Sequence, residues 1–560
     1  MYDETAFTIR ADCCTRRRFL KSALGLSAVM LLGACRTAPT PSAPAATLAP
    51  AAAPAPTQAP ASKPTVAAAP AQEPKPSEPT EWVVGMNEEP PAVDPNFGTT
   101  TSAAGGLIFL HIYNPLYDFE ALLDGSGFRP KPMLAESYKL INDTTWEFKL
   151  RRGVKFHNGD EFTAEDAKYS FDDYIGEKTL RTTVKNAVER VEIVDPYTIR
   201  IMTRGIQAGL LSTAGAASMA PKKARSEVGP EAFNQRPIGT GPYKLIEWTK
   251  GQRLVLGANQ DYWEGRVFPQ RLVLRIVPDP TTRVAELKTG GAQIIASPAA
   301  GQLKEVQSGP DTELMAMRQI GKGGRAQQYL INATKKPFDD VRVRQAVNYA
   351  VDREAIVKNV LEGYGELLHG PFSSGWPGYD RNLKPYPYDP VRAKQLLAEA
   401  GYSSGFETEL HTSSGVWLKD REVSEVIANQ LGEIGVKARL VPKEVVKLFA
   451  DRLAGNFEGI TLSPWATFPD ADPMLGIHFY KAKTHNDDKV NALIEQERNT
   501  LDPTQRLKAI EELGRYIHDQ GYILEVHSQD EFWAKRKNLE WTPLASGGTY
   551  MLLYRLAARA

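Results

Sequence analysis

From Thr145 to His157 apolar and polar residues take turns. Trp146, Phe148 and Leu150 lie between Thr145, Glu147 and Lys149, and after Arg152-Gly153 the residues Val154 and Phe156 alternate with Lys155 and His157. A period of two predicts half-buried strands. Asn158-Gly159 predicts a tight hairpin turn with both residues at positive φ. Thr163 stands where it can cap a helix whose first turn carries Glu165 and Asp166, negative charge at the positive end of the helix dipole. Phe162 and Ala167 hold the positions of a hydrophobic staple.

The same reading extends along the chain. A short strand is predicted over 82–86, two strands around Asp195-Pro196, a strand over 271–277 and a short helix over 280–289. Beyond Gly321 the period lengthens. One helix is predicted over 341–361, with apolar or small residues at 343, 346, 347, 350 and 351 on one face. Further helices are predicted over 389–400, 422–434 and 505–520, a strand over 436–441 and a loop over 465–473. Helices alternating with strands predict an α/β body on a largely parallel sheet.

A chain of 560 residues exceeds one ordinary core, so two or three domains are expected. Lys+Arg and Asp+Glu both number 67, and that balance argues against a nucleic-acid partner. The only cysteines are Cys13, Cys14 and Cys35, so the globular part has neither a disulfide framework nor a cysteine metal site. Thr-Arg-Arg-Arg-Phe-Leu-Lys at 15–21 resembles a twin-arginine export motif, carried by Arg16, Arg17, Phe19 and Leu20. The apolar run over 23–32 is too short to span a bilayer, and Leu-Gly-Ala-Cys ending at Cys35 resembles a lipobox. Residues 1–34 are thus expected to be a lipoprotein signal peptide. Residues 35–80 are expected to be a lipidated cysteine followed by an Ala/Pro-rich tether that cannot bury a core. The alternative is a short membrane anchor with an incidental cysteine.

Chemistry is harder to find. Neither a phosphate-cradling GxxxxGK[ST] nor an HExxH occurs, and no nucleophile elbow is expected. His478 and His485 do not have a standard ligand spacing and are expected on solvated positions. Asp470 and Asp472 form a conceivable glycosidase dyad, but adjacent carboxylates beside prolines are ordinary turn residues. No catalytic group, no metal and no cofactor are therefore expected.

Several collinear blocks resemble the family 5 solute-binding proteins of ABC importers, the dipeptide/oligopeptide/nickel-binding group. They are Leu134-Ala135-Glu136-Ser137 with Gly153-Val154-Lys155-Phe156-His157; Gly239-Thr240-Gly241-Pro242-Tyr243 with Asn259, Asp261, Tyr262 and Trp263; Asn332 with Pro337-Phe338 and Val341-Arg342-Val343-Arg344-Gln345-Ala346; and Tyr388-Asp389-Pro390 through Gly401-Tyr402. The resemblance implies an α/β, two-lobed periplasmic-binding-protein-like fold (type II, cluster C) with an extra subdomain. The first lobe would be 81–320, with the extra subdomain at about 115–235, the second lobe 321–525, and 526–560 would return to the first. It also implies a lipid-anchored extracytoplasmic monomer that delivers a peptide-like solute to an ABC permease and ATPase complex. An oligosaccharide, an opine-like conjugate or a metal chelate is the alternative ligand, and a secreted hydrolase the remote one. In peptide-binding members the loop at 465–473 carries a carboxylate that meets the peptide's α-ammonium. Here Phe468 falls where that aspartate is expected and Asp470 is the nearest carboxylate, so Asp470 and Asp472 stand open between ligand contact and turn chemistry. Trp465 and Trp376 are the candidate aromatic walls, and Asn87 and Glu88 the candidate polar contacts after the first strand.

Overall fold

The computed structural model describes residues 80–556 apart from 97–102, 123–126, 178, 180, 181, 318–323, 414, 467, 542, 543 and 547–549. The expected export signal at Arg16, Arg17, Phe19 and Leu20, the lipidation site Cys35 and the tether up to residue 79 lie outside the described residues. No helix among the described residues is long and apolar enough to cross a membrane.

The first strand, Glu81–Met86, runs through the middle of a seven-stranded sheet, parallel to both of its neighbours, Arg271–Ile276 and Ile294–Ala296. A central strand is buried on both faces, which is why its sequence is apolar rather than alternating. Trp82 and Val84 enter one core with Leu107, Ile108 and Leu272, while Val83 on the other face packs on Val284 and Leu287 of the helix Pro280–Thr289.

A second sheet has six strands in the order Gly365–Leu367, Ile523–Gln529, Arg325–Ile331, Ile460–Leu462, Phe406–Thr412 and Val436–Pro442. The last three are parallel, as the alternation of helices and strands predicts. The other three pair antiparallel. The reason is topological. The chain enters this sheet along Arg325–Ile331 and leaves it along Ile523–Gln529, and a chain that goes in and comes back must run both ways. Outside the second sheet the same two segments connect to Thr312–Ala316 and Phe532–Arg536 of the first, which are also antiparallel partners.

The helix predicted over 341–361 is broken. Val341–Tyr349 ends, and Asp352 caps a new turn, Arg353–Ala355, by accepting the Ala355 amide at 2.8 Å; a π turn, Ile356–Val360, follows. An aspartate inside an apolar period offers the backbone a local acceptor, and here that competes successfully with the continuous helix.

The opening stretch builds a separate antiparallel sheet, Ala135–Asn142, Thr145–Leu150, Thr198–Thr203 and Val188–Asp195. Trp146, Phe148 and Leu150 face Phe162, Ala167, Phe171 and Tyr174 around the helix Ala164–Ile175. Asp166 accepts from both the amide and the hydroxyl of Thr163, at 3.0 and 3.1 Å. The turn differs from expectation. Gly159 alone takes a positive φ, 93°, because the Phe156 amide bonds the Asp160 carbonyl across an intervening loop longer than a two-residue hairpin.

Candidate functional site

Open α/β sheets present their parallel strands' carboxyl ends to ligands, because the loops there can diverge around a crevice. In the six-stranded sheet, Ile460–Leu462 ends in Ser463-Pro464-Trp465. Trp465 is wholly buried and exchanges two backbone hydrogen bonds with Ala326, at 2.9 and 3.0 Å, on the strand that enters this sheet. Its ring stacks on Trp376 at 6.4 Å and 30°, and on His478 at 4.6 Å and 28°. Phe372 and Phe468 pack on Trp376. The structure thus brings Trp376 and Trp465 together. Trp376 Nε1 and Ser373 Oγ, and on the strands of this sheet both side-chain amide atoms of Gln328 and both ring nitrogens of His527, are buried with no partner among the described residues. Each such group costs about 1–3 kcal/mol.

His478 and His485 are not on solvated positions. Both are buried, and His485 lies 5.0 Å from the Tyr522 ring. Burial, helped by the charge of Arg452, holds the His478 imidazole well below its usual value, so it is neutral. The expected loop over 465–473 ends early, since the helix Asp472–His478 starts inside it and Asp470 accepts the Asp472 amide at 2.9 Å.

Asp470 has its own partner. Arg506 donates to both of its oxygens, at 2.7 and 2.8 Å, and the same guanidinium gives its Nε–H to Glu497 at 2.9 Å. Burial pushes the Asp470 carboxyl up, but the Arg506 charge and its two hydrogen bonds outweigh it and hold the group below the usual value. Glu497 goes the other way. Burial pushes it up to about 8, because one guanidinium cannot keep two neighbouring buried carboxyls ionised. Asp472 is held by Arg498 at 2.6 Å. Asp470 and Asp472 are therefore brought together in a charge cluster, with both Asp470 oxygens committed to Arg506 rather than facing an open space.

Gly209 lies over this cluster. A Cβ there would stand 3.0 Å from Asp470 Oδ2 and 3.3 Å from Arg506 Nη2, so any larger residue would press on this ion pair and make it shift. The Ala208 amide donates to the Arg498 carbonyl at 3.2 Å, and Leu501 packs on the core of the four-stranded subdomain. Asn87 is exposed, and Glu88 accepts the Ala104 amide at 3.1 Å. Among the described residues no contact joins either of them to Trp376, Trp465 or Asp470.

Sequence reasoning missed Arg506 and Glu497. Both sit on amphipathic helices, where a charged residue ordinarily faces water, and nothing local ties them to Asp470. The letters G-x-S-x-G do occur, from Gly401 to Gly405, but they join the helix Pro390–Glu399 to the strand Phe406–Thr412. A nucleophile elbow needs the opposite order, strand to helix.

The family model for bacterial extracellular solute-binding proteins, family 5 Middle, matches residues 129–486. Heme-binding protein A of Haemophilus influenzae is 30% identical over 455 residues, 74% of this chain and 82% of that protein. Di/tripeptide-binding protein 2 of Pseudomonas aeruginosa is 27% identical over 500 residues, 83% of this chain and 92% of that protein. Among solved structures, HbpA2 from Haemophilus parasuis superposes with a TM-score of 0.73 at 26% identity, over 85% of this chain and 100% of the other.

Proposed function

The chain belongs to the bacterial extracellular solute-binding proteins of family 5, and from that premise we propose that it captures a peptide-like solute between two closing lobes and delivers it to an ABC importer. In this reading 81–320 and 526–560 form the first lobe, with the extra subdomain at about 115–235, and 321–525 form the second. The solute binds the closed arrangement better than the open one, and that difference is what the permease and ATPase complex reads.

The observation that carries the reading is the stacked Trp376–Trp465 wall with its unpartnered buried polar atoms, beside the strands on which the chain passes between sheets. A peptide backbone offers alternating donors and acceptors to such atoms, directly or through water. The di/tripeptide-binding relative supports this ligand class, and the heme-binding relative supports a wider range. One observation favours a non-peptide ligand: Asp470, the candidate for an α-ammonium, is already paired with Arg506. Asp470 and Asp472 then brace the loop that carries Trp465 instead of touching solute, while Asn87 and Glu88 contact it from the first lobe. Export by the twin-arginine route, a lipid on Cys35, a monomeric state and the lack of any catalytic step complete the proposal.

Thermal shift and calorimetry of the purified chain against di-, tri- and longer peptides and a panel of oligosaccharides test it. Stabilisation by short peptides alone is expected. Stabilisation by sugars alone ends the peptide reading, and turnover of any panel member ends the pure binding role.

A further inference from the structure

Residues 204–209 join the strand Thr198–Thr203 to the short helix Leu210–Ala216. The loop is tied to its own body. The Thr203 hydroxyl donates to the Gly205 carbonyl at 2.6 Å, the Leu210 amide to the Gln207 carbonyl at 3.2 Å and the Ser212 amide to the Gly209 carbonyl at 3.1 Å. Leu210 itself is buried with Phe148 and Tyr174 in the core under the four-stranded sheet.

Its outer side rests on the body built on the six-stranded sheet. The Ala208 amide donates to the Arg498 carbonyl at 3.2 Å, Leu501 reaches back onto the core that holds Leu210, and Gly209 stands over Asp470 and Arg506. The floor it meets is also tied from within: Arg506 holds Asp470 at 2.7 and 2.8 Å, and Arg498 holds Asp472 at 2.6 Å. The seam therefore joins two surfaces that each keep their own core and their own hydrogen bonds, so it can part without unfolding either side. The floor is fixed in turn to the aromatic wall. Ala471, between the two aspartates, is buried in the same core as Trp465 and Trp376, and the helix Asp472–His478 ends in the imidazole that stacks on Trp465.

Building on the proposed capture of a solute between closing lobes, we propose that residues 206–209 are a latch: the loop seats on the Asp470–Arg506 pair when the lobes close and slows release of the solute without touching it. In the proposed division of the chain the loop belongs to the extra subdomain and the pair to the second lobe, so the seam belongs to the closed arrangement. The bare backbone at Gly209 sets how closely the latch seats, because a side chain there presses on the pair. A contact made only after closure adds nothing to the encounter of solute with an open cleft. It lengthens the life of the complex, and its effect falls on the release rate. Gly209 and Leu501 are positioning residues in this scheme.

The test uses the full chain and its Gly209→Val and Leu501→Ser variants, with trialanine as the probe and association and release rates read by stopped flow. Gly209→Val is expected to release trialanine about tenfold faster than wild type, with the association rate and the ligand-free melting temperature unchanged. Leu501→Ser withdraws the apolar foot of the seam from the other side and is expected to act in the same sense; it decides the matter if Gly209→Val does not fold. An unchanged release rate in a folded variant overturns the proposal, and so does slower association with unchanged release, which would put Gly209 on the path of entry. If trialanine does not bind the wild-type chain, the peptide reading falls by itself and hydrogen exchange of the ligand-free chain decides the latch. Faster exchange of the Ala208 amide in the variants, with the Ser212 amide unchanged, upholds it. Equal exchange of Ala208 in all three proteins overturns it.

Discussion

Arg506 and Arg452 lie in the same body, the one built on the six-stranded sheet, and both are taken out of water. Arg506 gives its donors to Asp470 and Glu497, and Gly209 closes over them. Arg452 is given one hydroxyl. Breaking a finished buried pair leaves a bare charge behind, whereas removing an unfinished one relieves the protein of a charge it never compensated. The first region is therefore finished scaffold, while the second holds a buried charge with one neutral acceptor among the described residues.

The largest effect that tests this contrast is Arg506→Met. It strands two buried carboxyls and should lower the stability measured by guanidinium unfolding by about 3–5 kcal/mol, where Arg452→Met costs nothing. If the two substitutions cost the same, the contrast is false. Next comes pH. Glu497 has a folded value of about 8, above its ordinary value of 4.5. A raised folded value means the native state holds the proton more tightly, so this contribution is complete below about pH 4.5 and is lost as pH rises through about 8. The unfolding free energy should fall across that window by a few kcal/mol, and Glu497→Gln should flatten the slope. Asp470 runs in the opposite sense: its folded value is depressed, so its contribution is present above its ordinary value of 3.8 and is lost as acid protonates it.

Gly209→Ala pushes a methyl group against Asp470 and should cost about 1–2 kcal/mol, felt as weaker ligand binding in calorimetry if the contact belongs to the closed state. The smallest effect is expected at Lys304. It pairs with Glu362 at 2.8 Å, but 72% of its side chain is exposed, so Lys304→Ala should leave the unfolding midpoint where it is. A clear loss there would mean that an exposed pair contributes as a buried one does.

Much of the scaffold was legible before any coordinates. The alternation at Trp146, Phe148 and Leu150, the Thr163–Asp166 cap and the glycine stops after the helices Pro390–Glu399 and Asp420–Glu433 all depend on neighbours within a few residues, and local periodicity reports local geometry. The break at Asp352 was legible in principle, since a capping aspartate stands inside the apolar period. The candidate site was legible only where one residue type was conspicuous, as with Trp465 and Trp376. His478 read as a solvated residue because nothing nearby in sequence announces that Trp465 lies against it.

What the sequence determined by itself is the kind of fold, since periodicity, caps and collinear motifs are written in short windows and survive without knowledge of what packs on what. What only the tertiary structure decided is which charges are finished. Arg506 meets Asp470 across thirty-six residues of chain, Gly209 reaches the same pair from far earlier in the sequence, and Arg452 meets no acid among the described residues. A side chain's electrostatic partner is set by the path of the whole backbone, and a string of letters carries no distance between its ends.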